Sequence, residues 1–377
     1  TSRGKSFTFG CWNGPVTQHG TKHGVRYKHS RFLNDDKKIL LVSDRNNTEN
    51  IEIHSISSTS FKTSKIQLGR IINIEKSPKD NNFALINHKQ ELHIYFADTD
   101  KSSKIDISKH DSITANWSTD GKYLAYNSSI NSRCSIIKIY DLKNKKTHII
   151  SNAVNKDFNP IFDNTGKYLA FFSIRTFNPT YDNIQFDLSF QNGEKPYLVI
   201  LSKETESPFL LSPIKDKKDE SDKKKDENKD KKDTIKTKID FDNIENRIIE
   251  VPISEGKFGD SIGFKDNKLF YVSDLGNEED HSHGLGTLKY YDLKNLEEKS
   301  FMPKVLDFKI YPPEAQGVGQ FDGGRITEIK PIGFPHEGPT MENLGPLFYW
   351  AWASAKEYGK IALHPHQGFE IMSYALE

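Results

Sequence analysis

A short phrase of polar and apolar positions recurs along the first three hundred residues of the chain. Two or three polar turn residues are followed by a lysine and then by an apolar run that ends in serine or asparagine. The Asp-Gly and Asn-rich turns supply the positive φ angles that a tight hairpin needs, and the apolar runs suit strands buried on both faces. Five copies are present, at 34–43, 79–87, 119–128, 164–173 and 265–273.

The spacing of these copies predicts one repeated supersecondary unit. Measured at the turn, Asp35, Asp80, Asp120 and Thr165 are separated by 45, 40 and 45 residues, which is the length of four short strands with their turns. A β-sandwich is the alternative, but a sandwich has no reason to keep a fixed period. From Thr165 to Asp266 the interval is 101 residues, which we interpret as about two periods plus an excess.

A second phrase, formed by a strand, a polar turn and another strand, follows each first one and predicts the outer hairpin of a blade. It occurs at 92–96 with 104–107, 136–140 with 147–150, 197–201 with 209–211, and 288–291 with 292–295. The stretch 175–250 has room for a sixth unit. We therefore predict an all-β fold over residues 1–301, a partial or open β-propeller of four-stranded blades.

The excess in the long interval is explained by a run of charges. Nearly every residue of 215–233 is Lys, Asp or Glu, so this stretch has too little apolar surface to pack, and we expect a disordered surface loop. Because acids are interleaved with the lysines, a nucleic-acid-binding tail is disfavoured. The whole chain is similarly balanced, with 53 basic and 52 acidic side chains, so no overall field favours nucleic acid or an acidic membrane.

Cysteine usage and hydropathy favour a cytoplasmic protein. Only Cys11 and Cys134 occur, and neither lies in a metal-ligand or disulfide-framework spacing. The sequence has no apolar run of about 18 residues, so no membrane association is expected. It begins at Thr1 rather than at methionine, which we interpret as the sign of a fragment.

Several segments between the repeats resemble one family. Residues 175–182, 186–190 and 195–199 are similar to the seven-bladed propeller of the tricorn protease family, and the similarity extends over about residues 10–300. It is strengthened at 12–16, 24–27, 239–247 and 251–256.

The resemblance implies a cytoplasmic serine peptidase that trims oligopeptides, in which propellers gate substrates on their way to a separate catalytic portion. The family's nucleophile and histidine match no residue here, so we predict a non-catalytic propeller fragment whose partners are peptides and that catalytic portion. His19, His23 and His29 have irregular spacing and no acidic partner motif. We interpret them as polar surface histidines.

After Phe301 the periodic phrase stops, and residues 302–377 are rich in Gly, Pro and aromatics. In His364-Pro365-His366 the imidazoles lie at i and i+2, so on an extended strand both are on one face and can share a metal ion. The segment resembles the N-terminal piece of a pirin family protein, whose fold is a cupin-type β-barrel. By that resemblance, His364 and His366 would supply two of four ligands to a non-haem Fe(II).

This second part is expected to be incomplete, because the family's remaining ligands lie beyond Glu377. An incomplete barrel and an open propeller both leave unpaired strand edges, so we expect self-association through the blade edges. The abrupt change at 301/302 suggests two reading frames joined into one. The alternative is a pirin-like iron-binding oxidoreductase, a dioxygenase, or a transcription cofactor, with the propeller as an interaction module.

Overall fold

The computed structural model describes residues 4–8, 16–20, 22–177, 179–182, 187–189, 193–210, 236–275, 285–308, 317–321, 325–332 and 350–355. Contacts divide the chain into two compact units. The first comprises residues 1–7 and 18–310, and the second comprises residues 8–17 and 311–377. Within the described residues the regular structure consists of strands and one 3₁₀ turn, Ile244–Arg247. The predicted all-β class is confirmed.

Two short strands, β1 (Ser6–Thr8) and β2 (Thr17–His19), form a sheet of their own. The next twelve strands form three antiparallel meanders, which we call blades 1 to 3. Blade 1 contains β3 (Tyr27–Phe32), β4 (Lys38–Ser43), β5 (Asn50–Ser55) and β6 (Phe61–Thr63). Blade 2 contains β7 (Ile71–Lys76), β8 (Asn82–Asn87), β9 (Glu91–Phe96) and β10 (Lys101–Ile107). Blade 3 contains β11 (Ala115–Trp117), β12 (Tyr123–Ser129), β13 (Ser135–Asp141) and β14 (Lys146–Ile149).

Two more blades complete the first unit. Blade 4 contains β15 (Lys156–Phe162), β16 (Tyr168–Ile174), β19 (Glu194–Ile200) and β20 (Ile248–Glu250), and a separate hairpin of β17 (Thr180–Asp182) and β18 (Asp187–Ser189) lies between its second and third strands in sequence. Blade 5 contains β21 (Ile262–Lys265), β22 (Lys268–Ser273), β23 (Gly286–Asp292) and β24 (Glu297–Val305). The parallel pair Ser135–Lys156 joins blades 3 and 4, so the five meanders occupy four sheets.

The recurring phrase of the sequence forms the same part of every blade. Each of its five apolar runs is the second strand, β4, β8, β12, β16 or β22. In four of the five blades the turn before this strand contains a left-handed residue, with φ between 50° and 72°; these residues are Asp36, Gly121, Gly166, and the pair Asp266 and Asn267. The polar turn therefore marks in the sequence where the second strand of each blade begins.

The blades are arranged radially, because the first strands of neighbouring blades contact one another. Hydrogen bonds reinforce these contacts. The indole of Trp117 donates to the Glu75 carbonyl at 3.0 Å, and the amide of Phe162 donates to the Asn116 side chain at 2.9 Å. The predicted propeller-like arrangement is confirmed within the first unit.

Side chains of the second strands alternate between two cores, which is the physical basis of the repeat. On β8, Phe83 and Leu85 pack with blade 1, whereas Ala84 and Ile86 pack with blade 3. These four residues are at most 2% exposed. Full burial of a side chain the size of Leu or Phe contributes about 1.5–3 kcal/mol, so β8 stabilises two interfaces between blades at once.

Blade 4 differs from the sequence prediction in its last strand. β19 pairs with β20, not with the predicted segment 209–211. The Asn159 side chain on β15 donates to the Asp260 carbonyl, just before β21, at 2.7 Å. The first strands of blades 4 and 5 are therefore neighbours. The interval of 101 residues from Thr165 to Asp266 is thus one blade step and not two. The interpretation as two periods was wrong. The excess lies in the β16–β19 connection and between β19 and β20, which includes the charged run 215–233, outside the described residues.

The expected sixth unit at 175–250 is likewise not seen among the described residues, where β19 and β20 complete blade 4. At the other end of the propeller, β24 continues through the predicted boundary at 301/302, with Met302 opposite Leu288. The division into compact units falls at 310/311.

The described part of the second unit is an antiparallel sheet of β25 (Gly317–Phe321), β26 (Ile326–Ile332) and β27 (Trp350–Ala355). Glu328 and Lys330 are buried and paired at 3.0 Å. On the opposite face Val318, Ile329 and Trp352 are aligned across the three strands and are 45–53% exposed. The cupin-type barrel stays a prediction.

Candidate functional site

A buried polar cluster lies in blade 1 and is centred on Glu52 of β5. The Glu52 carboxylate is fully buried and accepts hydrogen bonds from the Ser43 hydroxyl at 2.6 Å, from Arg45 Nε at 2.7 Å and from Arg45 Nη2 at 3.2 Å. His54 Nε2 lies 2.6 Å from Glu52 Oε2, the oxygen that also accepts from Arg45 Nη2. Glu52 and His54 are at i and i+2 of one strand, which places both side chains on the same face.

The cluster is strongly polarised. Burial opposes ionisation of Glu52, but the hydrogen bonds from His54, Arg45 and Ser43 outweigh it and lower the pKa of Glu52 to about 2. The carboxylate is therefore ionised at neutral pH. Burial and the neighbouring Glu52 raise the pKa of Tyr27, whose hydroxyl oxygen accepts from Arg45 Nη2 at 2.7 Å.

Aromatic rings surround this ion pair. The Arg45 guanidinium lies 4.4 Å from the centre of the Phe61 ring, and the rings of Phe61 and His54 are stacked at 4.8 Å. His19 of β2 lies edge-on to His54, 5.7 Å away, and is 2% exposed. Burial, and then the proximity of His54, lower the pKa of His19, so its neutral form is favoured. The interpretation of His19 as a surface histidine was wrong, because the N-terminal strand folds over blade 1.

A cavity of about 130 Å³ adjoins the cluster. Its walls combine the aromatic rings with donor groups from the N-terminal segment and from the β5–β6 turn. The lining residues are Gln18, His19, Gly20, Lys22, Arg45, His54, Ser58, Thr59 and Phe61. Gly20 has φ of 75°, and a Cβ at that position would overlap the Tyr27 hydroxyl, so the close approach of the segment to blade 1 requires glycine.

The connectivity of the cluster suits binding and not nucleophilic attack. Ser43 is fully buried and donates to Glu52, not to a histidine. In a nucleophilic triad the serine instead donates to the imidazole that activates it. The cluster therefore holds a fixed guanidinium and two imidazoles at the edge of a small cavity.

A second candidate surface is formed by the first strands of the blades. The antiparallel register of β3, β7 and β15 is broken by irregularities, between Lys28 and Arg31 in β3 and between Ile71 and Asn73 in β7. Ile72, at the irregularity of β7, is 47% exposed. Such breaks turn side chains away from the regular pleat.

Sequence reasoning missed the cluster of blade 1, although a signal was present. Glu52 and His54 alternate with Ile51 and Ile53 in a strand-like run, which is the same i, i+2 argument applied to His364 and His366. The arrival of Arg45 and His19 at this face had no local signal.

The predicted metal ligands His364 and His366 lie outside the described residues, so the Fe(II) site stays a prediction. Titration of the protein and of the H364A and H366A variants with Fe(II) would test it. Among the residues that the structure describes, no group of three or more His, Cys, Asp or Glu side chains could hold a metal ion. No helix in the described ranges has the length and apolar character needed to cross a membrane.

The fold and the repeated packing define a propeller-type protein of four-stranded blades. Residues 1–314 match the family model described as the tricorn protease second beta propeller domain. The chain belongs to this family, which confirms the resemblance to tricorn proteases.

Individual relatives agree with the family model. The chain is 33% identical over 312 residues to a putative tricorn-like protease C-terminal subunit of Sulfurisphaera tokodaii, and the match covers 82% of this chain and 34% of that protein. It is 30% identical over 320 residues to a tricorn protease homolog of Saccharolobus solfataricus, covering 82% of this chain and 27% of that protein. A crystal structure of the tricorn protease superposes with a TM-score of 0.66 at 16% identity, over 94% of this chain and 33% of that one.

The chain thus spans about a third of the length of the relatives that it matches. The family model ends at residue 314, so the pirin-like interpretation of the following segment stays a prediction.

Proposed function

We propose that this chain is a non-catalytic propeller region of a tricorn-like peptidase, which gates or guides peptides toward a catalytic portion. Family membership supports a peptidase-associated role. The observation that carries the finer proposal is the irregular, partly exposed surface of the first strands.

These strands offer both kinds of contact that a peptide needs. Ile72 supplies exposed apolar surface, while Lys76 on the same strand supplies a half-buried ammonium. Burial lowers the pKa of Lys76, and the carboxylates of Asp36 and Asp35 oppose this effect. Extended peptides present apolar side chains, acidic side chains and polar backbone groups. A surface with both apolar and cationic contacts would therefore bind peptides of many sequences weakly.

Fluorescence anisotropy with labelled oligopeptides of about six to twelve residues tests this proposal. Weak binding of this kind corresponds to dissociation constants of roughly 1 mM to 1 μM. The variant Ile72→Ser should weaken binding, because it removes exposed apolar area from a first strand. Ile149→Ser is the matched control, since Ile149 is 62% exposed but lies on the outer strand β14. Equal loss in both variants, or no binding by the unaltered chain, would contradict the guiding role.

The absence of catalysis is tested separately. The purified chain should not hydrolyse the same peptides, and hydrolysis that is sensitive to serine-directed reagents would overturn the non-catalytic part of the proposal. A complementary experiment adds the catalytic portion of a tricorn-like protease and measures whether peptide turnover changes. Such a change would support the proposed partnership.

Two further parts of the proposal concern the setting of the molecule. β24 is the edge strand of its sheet, and Phe301 and Met302 on it are 61% and 52% exposed. An exposed edge with apolar side chains favours pairing with another chain, so we propose self-association through this edge.

The free thiol of Cys134 supports a cytoplasmic, reducing location.

A further inference from the structure

We propose that the cavity of blade 1 is a binding site for one small oxyanion, a carboxylate or a phosphate. Two of its lining side chains, Arg45 and Lys22, carry positive charge, and the described lining residues include no Asp or Glu. This inference does not depend on peptide guiding, because the site lies on the face of β5 and β6 and not on the first strands.

The guanidinium of Arg45 is fixed but not fully used. Its Nε and Nη2 atoms are bonded to Glu52 and Tyr27, and Nη1 has no hydrogen bond to the described residues. Stacking on Phe61 holds the guanidinium plane in place. A fixed guanidinium loses little side-chain entropy when it binds an anion, which is the usual advantage of arginine in such sites.

The Glu52 carboxylate, which lies next to the cavity, does not repel an incoming anion strongly. Glu52 already accepts from Ser43, Arg45 and His54, so its charge is spread over three donors. The charge of Arg45 balances it. Lys22 is exposed and pairs with no acid among the described residues, so the walls keep an excess of about one positive charge.

Size restricts the occupant. Pockets for drug-sized ligands measure roughly 300–1,000 Å³, whereas this cavity measures about 130 Å³. It has room for a small group such as phosphate, acetate or one carboxylate side chain. The hydroxyl of Thr59, which has no hydrogen bond to the described residues, adds a neutral donor at the rim.

NMR titration of the full chain, labelled at its histidine rings, tests the proposal. Inorganic phosphate and acetate are added at constant ionic strength, and acetamide serves as the uncharged match for acetate. We expect saturable shifts of the His19 and His54 signals, assigned with His→Gln variants, at roughly millimolar concentration. Acetamide should have no effect.

Substitutions locate the site. Lys22→Ala should weaken binding about five-fold, the effect of one exposed charge contact. Thr59→Val should weaken it less, because a neutral hydrogen bond is lost. Lys62→Ala should leave binding unchanged, since exposed Lys62 follows Phe61 on β6 and its side chain is on the opposite face.

The outcomes separate the sources of the anion. Shifts with phosphate alone or with acetate alone support the site and identify its ligand, and shifts with both support a general oxyanion site. The proposal is overturned if acetamide acts like acetate, if K62A weakens binding as much as K22A, or if no saturable shift occurs. None of these results alters the peptide-binding test of Ile72.

Discussion

The fully buried carboxylate of Glu52 allows a quantitative prediction for the change Glu52→Gln. The hydrogen-bond donors of Ser43, Arg45 and His54 lower the pKa of Glu52 from its usual 4.5 to about 2. Since one pKa unit is worth about 1.4 kcal/mol, the charged form contributes about 3 kcal/mol to folding at pH 7. Removal of one member of a buried ion pair has a similar cost, about 3–5 kcal/mol.

The sign of the pH dependence follows from the direction of this shift. A carboxyl group whose folded pKa is lowered stabilises the protein above its unfolded pKa and loses that contribution as the pH falls toward its folded pKa. The stabilisation should therefore be complete above about pH 5 and should decline between about pH 4.5 and pH 2. The difference in the free energy of unfolding between the unaltered protein and the Glu52→Gln variant should therefore shrink by roughly half by pH 3.

Hydrogen exchange measured by mass spectrometry is the suitable assay, because repeat arrays can unfold in parts. Peptides that cover β4 and β5 should lose about 3 kcal/mol of protection in the E52Q variant at pH 7, while peptides from blade 5 should change little. Glu297→Gln is the control, since Glu297 is 45% exposed and its solvent-exposed pair with Lys299 should contribute little to protection. Wild-type protection in E52Q, or a loss that does not depend on pH, would refute the reasoning.

Two further predictions concern the N-terminal segment and the sheet edge. Gly20→Ala should lower the free energy of unfolding clearly more than Gly24→Ala, as measured by thermal unfolding. Both glycines have positive φ, but only the Cβ at position 20 would overlap Tyr27, whereas position 24 is open. For Gly24→Ala we expect a loss of about 1 kcal/mol, and equal losses in the two variants would contradict the close packing. Phe301→Ser should reduce the self-association measured by sedimentation velocity. Ile130→Ser should not, because Ile130 is 49% exposed but lies in the connection between β12 and β13 and not on an edge strand. A monomer at all concentrations would argue against pairing through β24.

The repeat was predictable because its information is local. The turn residues around Gly121 and Gly166 and the apolar run after each turn lie within about ten residues of sequence, so they could be recognised without a structure. The runs proved to be the second strands of five blades. Family resemblance, carried by the segments between the repeats, was confirmed for residues 1–314.

Pairings between distant segments were not predictable in the same way. The last strand of blade 4 lies 48 residues after the end of β19, and the nearer apolar segment at 209–211 was the natural choice from sequence. Closing a longer loop adds only about 0.6 kcal/mol for each doubling of its length, so a better-packed distant strand can displace a nearer one. Ile248 and Ile249 of β20 pack against two different cores, whereas in the nearer segment Phe209 packs against one of these cores and Leu210 is 67% exposed.

The sequence by itself determined the blade unit, its period and the class of the fold, because hairpin turns and strand alternation act over neighbouring residues. Only the tertiary structure decided which strand completes blade 4, that His19 is buried, and that Arg45 meets Glu52 beside a cavity. These features depend on burial and charge pairing between segments distant in sequence, and such contacts leave no periodic pattern along the chain.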